Sequence, residues 1–177
     1  MKQFAKYLFS IVLIGLLMSN VVLANQWNWE TANGHHNQST LLDETVTTST
    51  DSVYYYGRGD YLAEGSVQIV NMEDGTLRVT ATTLAHVNVD RILHTISLDV
   101  WDPDENDWIS LNYWDFEITK EEVEGNELHM LNTSFLLTGY EVGRYYRLRG
   151  LHGVEIYDEL EACATETHGV LLTDLWN

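Results

Sequence analysis

The stretch from Gly143 to His152 reads Gly-Arg-Tyr-Tyr-Arg-Leu-Arg-Gly-Leu-His, and it holds three of the chain's nine basic residues. These are Arg144, Arg147 and Arg149. In a strand, alternate side chains share a face, so Tyr145, Arg147 and Arg149 line up together. Guanidinium forks match carboxylates and phosphates, which makes this row a candidate site for an anionic ligand. The competing use is internal. In a chain with 27 acidic residues, the same groups pair with carboxylates across a sheet. Tyr145 or Tyr146 also suits a corner tyrosine, buried and bonding its hydroxyl to nearby backbone.

Five aromatic residues, Trp101, Trp108, Tyr113, Trp114 and Phe116, crowd one expected hairpin. Simple alternation puts Trp108, Trp114 and Phe116 on one face and Tyr113 on the other. Such a face usually packs a core. Turned to solvent it would stack on sugar rings, which makes Trp108 and Trp114 candidate ligand contacts. The hairpin's own loop carries Asp102, Asp104, Asn106 and Asp107. A helical EF-hand would need Gly at the sixth place and a carboxylate at the twelfth, where Asp107 and Tyr113 stand. Two readings remain for this loop: a sandwich-loop calcium site, or a polar turn. No cofactor other than calcium is expected.

The remaining chemistry is sparse. Seven histidines are present, none with zinc spacing to a carboxylate or cysteine; His94 and His129 fall in strand-like runs that could bring them together. Cys163 is the single cysteine, so no intrachain disulfide forms. With only Glu161 and Glu166 near it in sequence, nothing lowers its pKa, and buried packing is its expected role. There is no Gly-x-Ser-x-Gly and no nucleophile–base spacing. No catalytic residue is assigned, because the carboxylates are too numerous to single out a glycosidase-like pair.

These residues depend on an exported scaffold. Lys2 and Lys6 precede an apolar stretch from Tyr7 to Met18, and Val22-Leu23-Ala24 completes a signal peptide cleaved after Ala24. The stretch is too short for a comfortable membrane span, and no second one follows, so no membrane association is expected after cleavage. Residues 25–60 are polar and read as a flexible tether, with Thr45 to Ser52 extended enough to add an edge strand. From Tyr61 to the end, β-branched and aromatic runs alternate with a period of two. Asp74-Gly75, Asp102-Pro103, Gly125-Asn126, Gly139 and Gly153 punctuate them. Glu117 to Glu124 is the one helix-like stretch. The layout predicts an all-β domain over 61–177, an antiparallel two-sheet sandwich of about seven strands.

Three segments carry a family resemblance: Tyr61 to Gly65 with Thr76 to Ala85; Val89-Asp90 with Trp108 and Trp114; and Gly143 to His152. Together they resemble a family of secreted domains of unknown function from Gram-positive, clostridial-type bacteria. Arg144 stands where that pattern has its first aromatic, and residues 25–60 lie outside the likeness. The resemblance implies an immunoglobulin-like sandwich in an exported protein, and it implies no activity.

The net charge of −18 repels nucleic acid and becomes more negative once Lys2 and Lys6 leave. The expected function is a secreted, non-catalytic module that binds an extracellular surface, glycan or protein partner. The alternative is a secreted carboxylate-dependent hydrolase of glycosidase type. A third reading makes the domain a spacer whose Trp27-Asn28-Trp29 inserts into a neighbour.

Overall fold

The computed structural model describes residues 27–57 and 61–176. The expected leader and its cleavage point after Ala24 lie outside the described residues. Ten strands follow in chain order: β1 (Asn33–Gly34), β2 (Thr48–Tyr54), β3 (Leu62–Asn71), β4 (Leu77–Ala85), β5 (Arg91–Asp102), β6 (Asp107–Thr119), β7 (Met130–Leu137), β8 (Tyr145–Ile156), β9 (Glu159–Glu166) and β10 (Val170–Leu171). They form two sheets. The larger runs β1-β9-β8-β5-β6, with β10 also on β8, and the smaller runs β2-β3-β4-β7. Every pairing is antiparallel except β1 with β9.

The alternation expected from the sequence sets the core. Ile92, His94, Ile96 and Leu98 of β5 are buried, as are Leu77, Val79 and Ala81 of β4 and Tyr146, Leu148 and Val154 of β8. Burying one face of each sheet against the other removes these side chains from water, and each large one contributes about 1.5–3 kcal/mol. The strand count exceeds the expected seven because β2 adds the edge strand suggested by Thr45 to Ser52, and because β1, Asn-Gly, and β9, Glu-Leu-Glu-Ala-Cys-Ala-Thr-Glu, carry no run of large apolar residues. They pair because the edges of longer strands offer them backbone partners.

Two expectations fail here. The helix-like stretch from Glu117 begins as strand, since β6 runs to Thr119, and only 3-10 turns at Lys120–Glu122 and Glu124–Asn126 follow. At that boundary the Glu122 carboxylate accepts the Thr119 N–H at 2.8 Å, which closes the turn. The tether is also not a free segment over its described part. Residues 48–54 form β2, paired with Glu64 to Val70 of β3, so the extended run seen in the sequence is an edge strand.

Between the sheets lies a polar wire. Thr83 Oγ1 is 2.9 Å from His152 Nδ1 and 3.2 Å from His94 Nδ1. His94 Nε2 reaches Thr133 Oγ1 at 2.7 Å, and His152 Nε2 reaches Thr165 Oγ1 at 2.9 Å. A threonine hydroxyl has one proton, so Thr83 donates to one ring and accepts from the other, and the two rings take complementary tautomers. His94 therefore meets His152, its cross-strand partner, rather than His129, which is exposed. Glycine makes the space. A Cβ at Gly150 would stand 2.6 Å from His152 Nε2 and 2.5 Å from Thr165 Oγ1.

Burial pushes His94 from 6.5 down to about 4, and burial together with the His94 charge pushes His152 down to about 3. The unfolded chain protonates both rings as pH falls through 6.5, while the folded chain resists until far lower. Across that window the unfolded state binds more protons, so stability falls as pH falls. Melting temperature is expected to drop steeply between about pH 6.5 and 4, and a His94→Gln, His152→Gln double variant should flatten that dependence. Gly150→Ala is expected to cost about 1–3 kcal/mol through overpacking, read by urea unfolding.

Candidate functional site

The outward face of the larger sheet carries Thr95, Ser97, Asp99 and Trp101 on β5, the residues that alternate with its buried row. On β8 it carries Tyr145, Arg147 and Arg149. This face is partly covered by a strap, residues 27–43 of the expected tether. Strand β1 joins the strap to β9, and a bridge from Leu41 to Gly169 closes its far end.

The strap's main anchor is Glu166, whose side chain is fully buried. Its carboxylate accepts the backbone N–H groups of Asn37 at 3.0 Å, Gln38 at 3.0 Å and Ser39 at 2.7 Å. Arg147 Nη1 approaches the same carboxylate at 3.1 Å. Behind it, Asp51 accepts the Glu166 N–H and pairs with His35, each at 2.7 Å. A buried carboxylate is costly unless its lone pairs are filled, and here three amides and a guanidinium fill them.

Arg147 and Arg149 also share Asp99. Arg147 Nε lies 3.0 Å from Asp99 Oδ2, and Arg149 places Nε 2.8 Å and Nη2 3.1 Å from the two Asp99 oxygens. Two cations thus meet two anions, Asp99 and Glu166. The guanidinium of Arg147 stacks over Trp108 at 4.7 Å and that of Arg149 over Trp29 at 4.9 Å. Arg144 turns aside to Glu141 at 3.3 Å and to the Trp101 carbonyl at 2.9 Å. The arginine row is therefore committed to partners inside the protein, across the sheet and to the strap. Tyr146, not Tyr145, is the corner tyrosine, donating its hydroxyl to the Glu141 carbonyl at 2.9 Å. Tyr145 faces outward, and burial first, then Glu44 and Asp43, raise its hydroxyl pKa.

The two tryptophan candidates separate. Between Leu98 and Asp99 the β5–β6 register shifts, leaving Leu111 unpaired. One extra residue reverses which parity faces the core. Trp108, expected on the face of Trp114, instead pairs with Trp101 on the outward face, their rings 5.4 Å apart. There it packs against Gly169 beside Leu41. Trp114 takes the packing role, 5.2 Å from Phe135 and set against the core. Neither presents a free ring to a ligand.

The loop from Asp102 to Asp107 folds as a hairpin turn in which Asp102 accepts the Asp104 N–H at 2.9 Å and Asp107 the Trp108 N–H at 2.7 Å. Asn106 supplies a positive φ of 53°. Among the described residues no three His, Cys, Asp or Glu side chains gather as a metal site needs. Cys163 is buried, and burial first, then Asp51 and Glu64, push its thiol up to about 12. Its neutral thiol packs in the core beneath Gly65 and His152.

What the fold does build is a groove that the sequence did not single out. Trp27, at the head of the strap, stands on the outward face against Gly153, where a Cβ would come within 2.5 Å of its ring. A cavity opens on each side of it. One of about 420 Å³ is lined by Arg91, Asp115, Glu117 and Leu160; the other, of about 400 Å³, by Trp29, Ser97, Tyr113 and Arg149. Trp27, Thr95 and Asp115 line both, so the two are lobes of one groove. Each falls in the range of small-ligand sites. Tyr113 is 65% exposed, Asp115 accepts the Thr95 hydroxyl at 2.5 Å, and Arg91 bridges Glu117 and Glu155. Of the six residues expected to bind a ligand, Arg149 alone lines it. Trp27 and Trp29 were visible as aromatic exceptions in a polar segment, but they dock on their own sheet rather than in a neighbour.

Apart from Trp27, the residues that form the strap, the groove and the bulge fall within one family match. The chain belongs to the Family of unknown function (DUF6147). The family model matches residues 28–170, so it takes in β2 and the strap from Asn28 onward, which the resemblance read from sequence left outside. Among curated proteins, comparison finds no match.

Replacing Glu166 with Ala leaves Arg147 and three amides without their partner. The expected cost is about 3–5 kcal/mol, seen as a lowered melting temperature. Hydrogen exchange at the amides of residues 37–39 should accelerate more than exchange in β4. Equal acceleration throughout would show that Glu166 does not anchor the strap locally.

Proposed function

We propose that this protein is an exported, immunoglobulin-like, non-catalytic module that binds glycans in the groove astride Trp27. The observation that carries the reading is the outward-facing set of Trp27, Trp29 and Tyr113 around two lobes floored by hydroxyls and carboxylates. Aromatic faces pack against the C–H surfaces of sugar rings, and neighbouring polar groups orient the ring hydroxyls. Here Tyr113 and the polar groups stand on strands, which hold them rigidly, and Trp27 and Trp29 reach over them from the strap.

The immunoglobulin-like reading rests on strand order. The β3–β4 hairpin gains β7 beside β4, and β8 lies between β5 and β9 in the opposite sheet. The Tyr146 corner at the start of β8 recurs in such sandwiches. Export rests on the leader and Ala24, and the acidic surface suits a chain released outside the cell. Among the described residues no helix is long and apolar enough to cross a membrane.

A hydrolase would need a carboxyl pair free to exchange protons across the cleft. Of the two carboxylates that line this groove, Glu117 is held by Arg91 and Asp115 alone is in no ion pair with a described residue, so they do not form a free pair, which favours binding over catalysis. The test is co-sedimentation of the purified protein with insoluble glycans and cell walls. Saturable pelleting is expected, and Trp27→Ala or Tyr113→Ala should weaken it at least about tenfold while leaving the melting temperature within a few degrees. Release of reducing sugar during the assay, or pelleting indifferent to both substitutions, would refute the proposal.

A further inference from the structure

The two lobes share one carboxylate, and its charge balance narrows the ligand. The cations that reach the groove are Arg91 and Arg149. Arg91 is held between Glu117 and Glu155, and Arg149 is held by both oxygens of Asp99. Arg147, beside it, is shared by Asp99 and Glu166. Each cation thus already has an anion. Asp115 has only the neutral Thr95 hydroxyl, and among the described residues no Lys, Arg or His forms an ion pair with it. It lies where both lobes meet beside Trp27.

From this we infer that the groove takes a cationic amino-sugar glycan, one whose sugar rings carry free ammonium groups. The inference rests on the glycan reading of the groove. A ring stacked on Trp27 or Tyr113 carries its substituents at its rim, and an ammonium there meets Asp115 in a charge-assisted hydrogen bond. The aromatic faces add cation–π attraction that a neutral N-acetyl group does not gain. Arg91 and Glu155 with Glu117 leave the first lobe net negative, while Arg149, Arg147, Asp99 and Glu166 leave the floor of the second neutral. Neither lobe therefore repels a cation. The field of a chain with net charge −18 speeds the approach of a polycation.

The test compares a soluble glucosamine oligomer with its fully N-acetylated counterpart by calorimetric titration of the purified protein. Both run at about pH 6, where an amine of this type is charged. The free-amine oligomer is expected to bind at least about tenfold tighter, with affinity that falls as salt rises. Asp115→Asn can still accept the Thr95 hydroxyl, and it should weaken the free-amine oligomer at least about fivefold more than the acetylated one; an equal loss for both overturns the ammonium contact at Asp115. Equal or tighter binding of the acetylated oligomer overturns the cationic preference and leaves the glycan reading standing. A lysine oligomer of matching charge that binds as tightly overturns the sugar in favour of a peptide. Binding of both sugars that ignores Trp27→Ala removes the groove, and the glycan reading with it; binding of neither overturns the amino-sugar assignment.

Discussion

The arrangement of the outward face depends on one buried carboxylate. Glu166, at the end of β9, gathers three consecutive strap amides and Arg147 into one hydrogen-bonded centre. A carboxylate out of water tolerates few conformations, because every unfilled lone pair is costly. The strap is therefore held at a fixed height over the sheet. Its leading end then sets Trp29 over Arg149 and Trp27 against Gly153. Without that anchor the groove would lose one wall, while the core between the sheets would keep its apolar contacts.

The arginines serve the same end. Their planar forks reach two acceptors at once, so Arg147 links Asp99 to Glu166 and binds the centre of the sheet to the strap. Trp108 and Trp29 cover the guanidinium faces and exclude water from the ion pairs. Of the two uses the sequence left open for this row, an anion site or pairing with carboxylates across the sheet, the structure shows the second, an internal frame. The acidic excess explains this use, since each of these cations folds among carboxylates that can satisfy it. Asp115 stands apart, on the rim of that frame, in no ion pair with any described residue.

The fold was largely legible in the residue pattern, and the site was not. Period-two alternation in β4, β5 and β8 marks the inner face correctly because pleating is local and each residue's direction follows from its neighbour's. The corner role of Tyr146 was likewise visible as one of two tyrosines at a strand start. Trp108 shows where the logic stops. Leu111 adds one residue to β6, and every side chain beyond it changes faces. Nothing in the local composition marks the position of that bulge; the twist and pairing of β5 decide it. His94 was paired in prospect with His129 and in fact meets His152, because partnership across a sheet depends on register rather than residue type.

The strap was the larger omission. Composition alone gives residues 25–60 too few aliphatic side chains to form a core, which argues for a free chain. Over the described residues 27–57 the order comes from hydrogen bonds to partners far along the chain, such as Gln38 to Glu166 across 128 positions. An all-β domain, its buried rows and its acidic surface follow from local alternation and charge count, which any reading of the residues in order contains. Only the tertiary structure decided that the strap docks, that the arginines turn inward and that Trp27 divides a groove. Those outcomes depend on which distant backbone groups and carboxylates come within hydrogen-bonding distance once the sheets have formed.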